Sequence, residues 1–289
     1  MEDRMTDWLS ILVFADGSSH GGARVVSAKQ ICLHAPGGQL DVRVPALMPV
    51  RPYGYGASIV FDEYQALIGR ARSDAEKAIA PLRGALTSLG ANASVSVVDV
   101  EGDAVARVAA ALARTADVIV IAQPEQSSSA LEGALLKGAL LGSGRPCLVL
   151  PKWETPRGLG GRAIVAWKST PEAARAVRDG LPLLKRAEKV RIFAASEDSG
   201  FEGEGAEGVA QLARYLSLHG VAVEAPVLTP PPDELTNTAG DAILAEVDSF
   251  GADLLVMGGF GHSRWSELVF GGATLRILRN ARCAVLMSH

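Results

Sequence analysis

The chain has 289 residues, 48% hydrophobic and 21% charged, with only 5% aromatic side chains and a formal net charge of −4. Without a Lys/Arg block, this balance excludes a nucleic-acid or anionic-membrane surface, and no run reaches the roughly 18 apolar residues of a membrane helix. The start, MEDRMTDW, has no apolar signal core, and Cys32, Cys147 and Cys283 show neither zinc spacing nor a disulfide framework, so a soluble, reducing, cytoplasmic setting is expected.

In chain order, the first part predicts strands near 10–15, 39–46, 93–99, 117–122 and 147–151. Helices are expected near 19–34, 62–89, 102–115 and 129–141. MPVRPYGYGASIVFDEY (48–64) reads as a surface excursion, with a lid as the other reading. KWETPRGLGGR (152–162) is polar and rich in Pro and Gly, hence a linker. The second part predicts strands near 162–167, 189–195, 221–227, 253–257 and 283–288, with helices near 171–186, 205–219, 239–250 and 272–280. Ala174, Val177, Leu181 and Leu184 form one helical stripe, while CLVL and CAVLM are unbroken apolar runs suited to strands covered on both faces.

The chain is written twice. DVIVIA (117–122) matches DLLVMG (253–258), and GRPCLVLP (144–151) matches NARCAVLM (280–287), both at an offset of 136. ILVFADGSS (11–19) matches AIVAWKSTP (163–171) at an offset of 152, so the first repeat is longer between its first and fourth strands. Alternating strands and helices with right-handed crossovers predict two repeated five-stranded parallel sheets with helices on both faces, an α/β, Rossmann-like fold. The expected domains are 1–152 and 162–289, joined by 153–161.

The stretch after the fourth strand of the second repeat reads Gly258-x2-Gly261-x9-Gly271-Gly272. Glycines there let a backbone turn or approach a ligand, and a helix opening at Gly271–Gly272 offers unpaired N–H groups to phosphate. The plainer reading is that Gly258 and Gly261 shape a turn while Gly271 and Gly272 let the last helix pack closely.

This pattern, with its following helix and final apolar strand, resembles the universal stress protein family. Both repeats carry the likeness, and DGSS after the first strand adds to it. The resemblance implies strand order 3-2-1-4-5, a cytoplasmic location and pairing of domains through their last strands. It also implies an adenine nucleotide held mainly by the glycine loop, with help from a carboxylate after strand one. Two departures bear on the second repeat: Gly272 stands where binding members have Ser or Thr, and Lys168 stands in place of the carboxylate. The first repeat keeps Asp16, but its loop reads Ala122-x2-Glu125-x9-Leu135-Leu136, with a negative charge where phosphate would sit.

The candidate nucleotide- or phosphate-binding residues are therefore Met257, Gly258, Gly261, His262, Gly271, Gly272, Thr274 and Lys168, all in the second repeat. Thr274 offers a hydroxyl in place of the missing one. Lys168 is either a phosphate ligand or an exposed loop lysine. His262 is read as a phosphate contact or a plain loop histidine, and Trp265 as a ligand cover or an edge plug. Asp16, Ser18, Ser19 and His20 read as a turn and helix cap rather than a catalytic triad, since a triad must assemble in space. Ser129 and Glu132 have capping-box spacing. Cys147 and Cys283 are expected in the core, and no metal site is expected because the histidines lack ligand spacing.

The expected function is a regulatory or binding protein of stress adaptation, with ATP or another adenine nucleotide as the ligand of the second repeat. Self-association of the two domains and a homodimer are the expected assemblies; no nucleic acid or membrane is expected as a partner. The alternatives are a slow ATP hydrolase or phosphotransferase, and a scaffold that dimerises without ligand.

Overall fold

In the computed structural model the described residues are 8–16, 19–32, 37–49, 61–88, 92–102, 104–124, 130–151, 159–195, 204–229, 239–259 and 272–289. They fall into two compact units. One is built by Trp8–Ala122 with Ser127–Arg145, the other mainly by Pro146–His289 with Gln123–Gln126.

The first unit holds β1 (Ser10–Phe14), α1 (Ser19–Cys32), β2 (Gln39–Met48), α2 (Phe61–Ser88), β3 (Ala93–Glu101), α3 (Val105–Ala113), β4 (Val118–Ala122) and α4 (Ala130–Gly142). Its strands pair in parallel in the order β3-β2-β1-β4. β1 and β4 are almost wholly buried, as their unbroken apolar runs require. β2 alternates instead, burying Leu40, Val42, Val44, Ala46 and Met48. On its other face Arg43 bonds Asp41 at 2.8 Å and Ser96 of β3 at 2.8 Å. α3 and α4 pack backbone to backbone, since a Cβ at Gly138 would stand 2.0 Å from the Ala106 carbonyl oxygen.

The second unit holds β5 (Cys147–Leu150), β6 (Arg162–Ala166), α5 (Pro171–Leu184), β7 (Lys189–Ala195), α6 (Glu204–Leu218), β8 (Val227–Thr229), α7 (Ala239–Phe250), β9 (Leu254–Gly258), α8 (Gly272–Asn280) and β10 (Ala284–Ser288). Strands β6 to β10 pair in parallel in the order β10-β9-β6-β7-β8, which is 3-2-1-4-5 read from β8. β5 joins this unit by pairing antiparallel with β10, Val149 opposite Val285. Thus four strands of the first repeat form its own unit's sheet, and the fifth lies with the second unit. Both partners are apolar and buried, so the pairing closes an edge that would otherwise attract other chains.

The elements lie within a few residues of their sequence-predicted places, with one exception. The strand expected at 221–227 is a lone bridge at Val223 and a short strand from Val227. Pro226 explains the break, because it has no N–H to give the ladder.

Each unit fastens its first strand with an aspartate before its fourth. Asp117 Oδ2 accepts from the backbone nitrogens of Leu9 at 2.8 Å and Ser10 at 2.9 Å. Asp253, 136 positions later, accepts from Gly160 and Gly161, both at 2.9 Å, and from Arg162 at 3.3 Å. The repeat is therefore one of contacts as well as of letters. The spacer 152–158 and the segment 50–60 lie outside the described residues.

Candidate functional site

The site begins with β9, a buried apolar strand that ends at Gly258. Gly258 is not one of the glycines with positive φ. Its lack of a side chain serves another end: a Cβ there would stand 2.6 Å from the backbone nitrogen of Ala173 and 2.9 Å from the carbonyl carbon of Glu172. The first turn of α5 therefore rests directly on the end of β9. That turn starts properly because Thr170 caps it, accepting from Ala173 N at 3.3 Å, and Pro171 presets φ at the first position.

Register carries the neighbours to the same edge. Met257 pairs with Ala166 of β6 and Met287 of β10, and Gly258 pairs with Ser288. Ser288 Oγ bonds Asp179 of α5 at 2.7 Å, and Gly259 N donates to the Ser288 carbonyl at 2.9 Å. β6 leads out through Trp167 to Lys168, whose side chain is exposed. α8 follows β9 and precedes the parallel β10, so its N-terminus faces this same carboxyl edge.

Two helix N-termini thus meet the edge, with different electrostatics. α5 has Glu172 in its first turn, and the carboxyl is held below its ordinary range by its own backbone N–H, against the opposing push of burial. That dipole already has an anion. α8 has no acid in its first turn. Gly272 is exposed, and a Cβ there would meet no atom of the described residues within 4 Å. Gly272 is therefore not needed for helix packing. The close contact of α8 with α7 is made at Gly240, whose Cβ would stand 3.0 Å from the Ala273 carbonyl oxygen. An Arg276–Asp241 ion pair at 2.6 Å flanks it.

Of the sequence candidates, Met257 is buried inside the sheet, Gly258 ends β9, Gly272 opens α8 and Lys168 lies beyond β6. Thr274 is 7% exposed and shares the buried stripe of α8 with Ile277 and Leu278, so its hydroxyl lies on the packed face. Gly261, His262 and Gly271, with Trp265, lie outside the described residues. Trp167 was not among the candidates. Its Nε1 is buried with no hydrogen-bond partner among the described residues, beside Gly208 of α6. A tryptophan directly after a strand carries no periodic signal, so only the fold reveals that orphan donor.

In the first repeat Asp16 does more than end a strand. It accepts a hydrogen bond from the buried Arg24 at 2.7 Å. Leu136 of α4 is fully buried and Leu135 nearly so, while Glu125, Ser18 and Ser129 lie outside the described residues. Cys147 and Cys283 are buried, and burial pushes both thiols up, Cys283 to about 12, so neither is a nucleophile at neutral pH. Among the described residues no group of His, Cys, Asp and Glu side chains has the arrangement of a metal site. No described helix is long and apolar enough to cross a membrane.

A parallel sheet in this order, with helix N-termini at its carboxyl edge, defines a doubly wound, Rossmann-like α/β protein. Residues 161–289 match the universal stress protein family. The fold of nearly the whole chain is similar to a universal stress protein from Archaeoglobus fulgidus DSM 4304, at 17% identity and a TM-score of 0.70, covering 96% of each chain. It is also similar to a functionally unknown protein from Pseudomonas aeruginosa PAO1, at 14% identity and a TM-score of 0.60, covering 99% of this chain and 94% of that one. None of the curated proteins matches.

Proposed function

We propose that the chain is a tandem stress-adaptation protein that regulates by binding, with repeats 1–152 and 162–289 joined by 153–161, and that it works in the cytoplasm. Its ligand is an adenine nucleotide or phosphate, held at the carboxyl edge of the second repeat. The observation that carries this reading is the pair of helix N-termini there: Glu172 occupies that of α5, while that of α8 opens at Gly272 with no acid and free space beside it. A terminus of that kind attracts an external anion. Lys168 adds positive charge, and the Trp167 Nε1–H is a donor for a ligand acceptor. Antiparallel pairing of β5 with β10 supports self-association of the repeats through their last strands.

Binding is modest, because the hydroxyl at position 272 is absent. One hydrogen bond to a charged group is worth about 1.5–3 kcal/mol, tenfold or more in affinity. Isothermal titration with ATP, AMP and inorganic phosphate tests the reading. One site per chain is expected, lost in Gly261→Val, since a β-branched residue resists the positive φ that the sequence pattern leads one to expect of this glycine. Gly272→Ser is expected to tighten ATP binding about tenfold, since its side chain has room. Two equivalent sites, or unchanged binding in a folded Gly261→Val protein, would place the ligand elsewhere.

A further inference from the structure

The first repeat has lost the glycine loop, yet it retains a cleft of about 230 Å³ at the carboxyl ends of β1, β2 and β4. Phe14, Val44, Ala46, Ala71, Ile121 and Leu135 give it mainly apolar walls. Arg24 of α1 also lines it and is only 3% exposed. Its Nη2 donates to Asp16 at 2.7 Å, but Nε and Nη1 are closed off from solvent and have no hydrogen-bond partner among the described residues. Buried guanidinium donors without acceptors are rare and costly, so their presence in a cleft wall calls for an acceptor brought from outside.

We propose that this cleft binds a small uncharged molecule with a flat apolar body and one carbonyl or hydroxyl acceptor, received by Arg24. Charge sets the class. Asp16, Asp74 and Glu132 line the cleft with Arg24; Asp16 is paired with Arg24 and Asp74 with Lys77, so the carboxylates still outnumber these two cations and a phosphate or carboxylate ligand is disfavoured. Asp74 is paired with the exposed Lys77 at 3.1 Å, which leaves that end of the cleft polar and outward-facing. A cationic ligand satisfies the carboxylates but leaves the Arg24 donors unmet. An uncharged acceptor on an apolar ring answers both the walls and Arg24. The site is distinct in residues and in ligand chemistry from the one proposed for the second repeat.

The test uses the full chain and three probes of one shape: benzamide, benzoate and benzylammonium. Amide chemical shifts of Phe14, Ala46 and Ile121 are followed by NMR up to the solubility limit of each probe. Benzamide is expected to move these amides with saturation, and benzoate to leave them unmoved. Arg24→Met is expected to weaken benzamide about fivefold, the worth of one ordinary hydrogen bond. Ala71→Leu, which narrows the cleft from α2 without touching Arg24, is expected to abolish the response while the thermal midpoint holds. Silence with benzamide in the wild type, stronger binding of benzoate or benzylammonium, or full binding in folded Ala71→Leu would each overturn the proposal.

Discussion

Gly258 and Ala173 are in backbone contact: a side chain on the first would begin 2.6 Å from the nitrogen of the second. The end of β9 and the start of α5 share that space, and neither can retreat, because β9 lies between β6 and β10. Gly258→Ala is expected to destabilise the second unit by about 1–3 kcal/mol, the usual cost of overpacking a fixed backbone. Gly272→Ala, which meets open space, is expected to change stability by no more than about 0.5 kcal/mol. Urea unfolding of both variants checks the contrast, and equal losses would refute this division of labour between the two glycines.

The aspartate clamps predict a second pair of effects. Asp253→Ala leaves the backbone nitrogens of Gly160, Gly161 and Arg162 without their acceptor. Asp117→Ala does the same to Leu9 and Ser10. Each is expected to cost about 1.5–3 kcal/mol, with the Asn variants recovering part of it. Denaturant titrations that showed no loss for either variant would mean the clamps are ornamental.

β10 is paired on both sides, with β9 in parallel and with β5 antiparallel. Its amides should therefore be among the slowest to exchange in the second unit. Leu148→Asp, which buries a charge in β5, is expected to cost more than about 4 kcal/mol. Fast hydrogen exchange at Val285 and Leu286 would contradict the pairing.

Glu224 gives a pH-dependent term. Hydrogen bonds from Lys189 and then Arg191 hold its carboxyl below the ordinary value of 4.5. A depressed folded value means the stabilisation is complete above 4.5 and is lost as pH falls through the lower folded value. Glu224→Gln should thus lower the thermal midpoint at neutral pH and converge with wild type in strong acid. Parallel melting curves across that range would show that Glu224 contributes no linkage.

Burial of both sulfurs predicts inert thiols. In a Cys32→Ser background, Ellman's reagent should find no reactive cysteine in the native protein at pH 8 and two after denaturation. Prompt native-state reaction would mean that the strand ends holding Cys147 and Cys283 open readily.

Much of this protein was legible in its sequence because the signals are local. Apolar runs marked the covered strands, and Val177, Leu181 and Leu184 marked the buried face of α5, although Ala174, read as part of that stripe, is exposed and its neighbours Ala173 and Ala176 are buried instead; paired motifs at constant register marked the repeat. Pro226 alone explains where a strand reading overran, since one missing N–H breaks a ladder that hydropathy does not see. The glycine pattern identified a backbone device but not which glycine does what. That was decided by contacts between residues far apart in the chain: Gly258 against Ala173, Gly240 against Ala273, and open space at Gly272. The same holds for the Arg24–Asp16 pair, the orphan Trp167 donor and the placing of Thr274 on the packed face of its helix. Local periodicity determines which elements form and which face is apolar. Close approach, burial of a single polar atom and the partner of an edge strand depend on how those elements meet, and only the tertiary structure decided them.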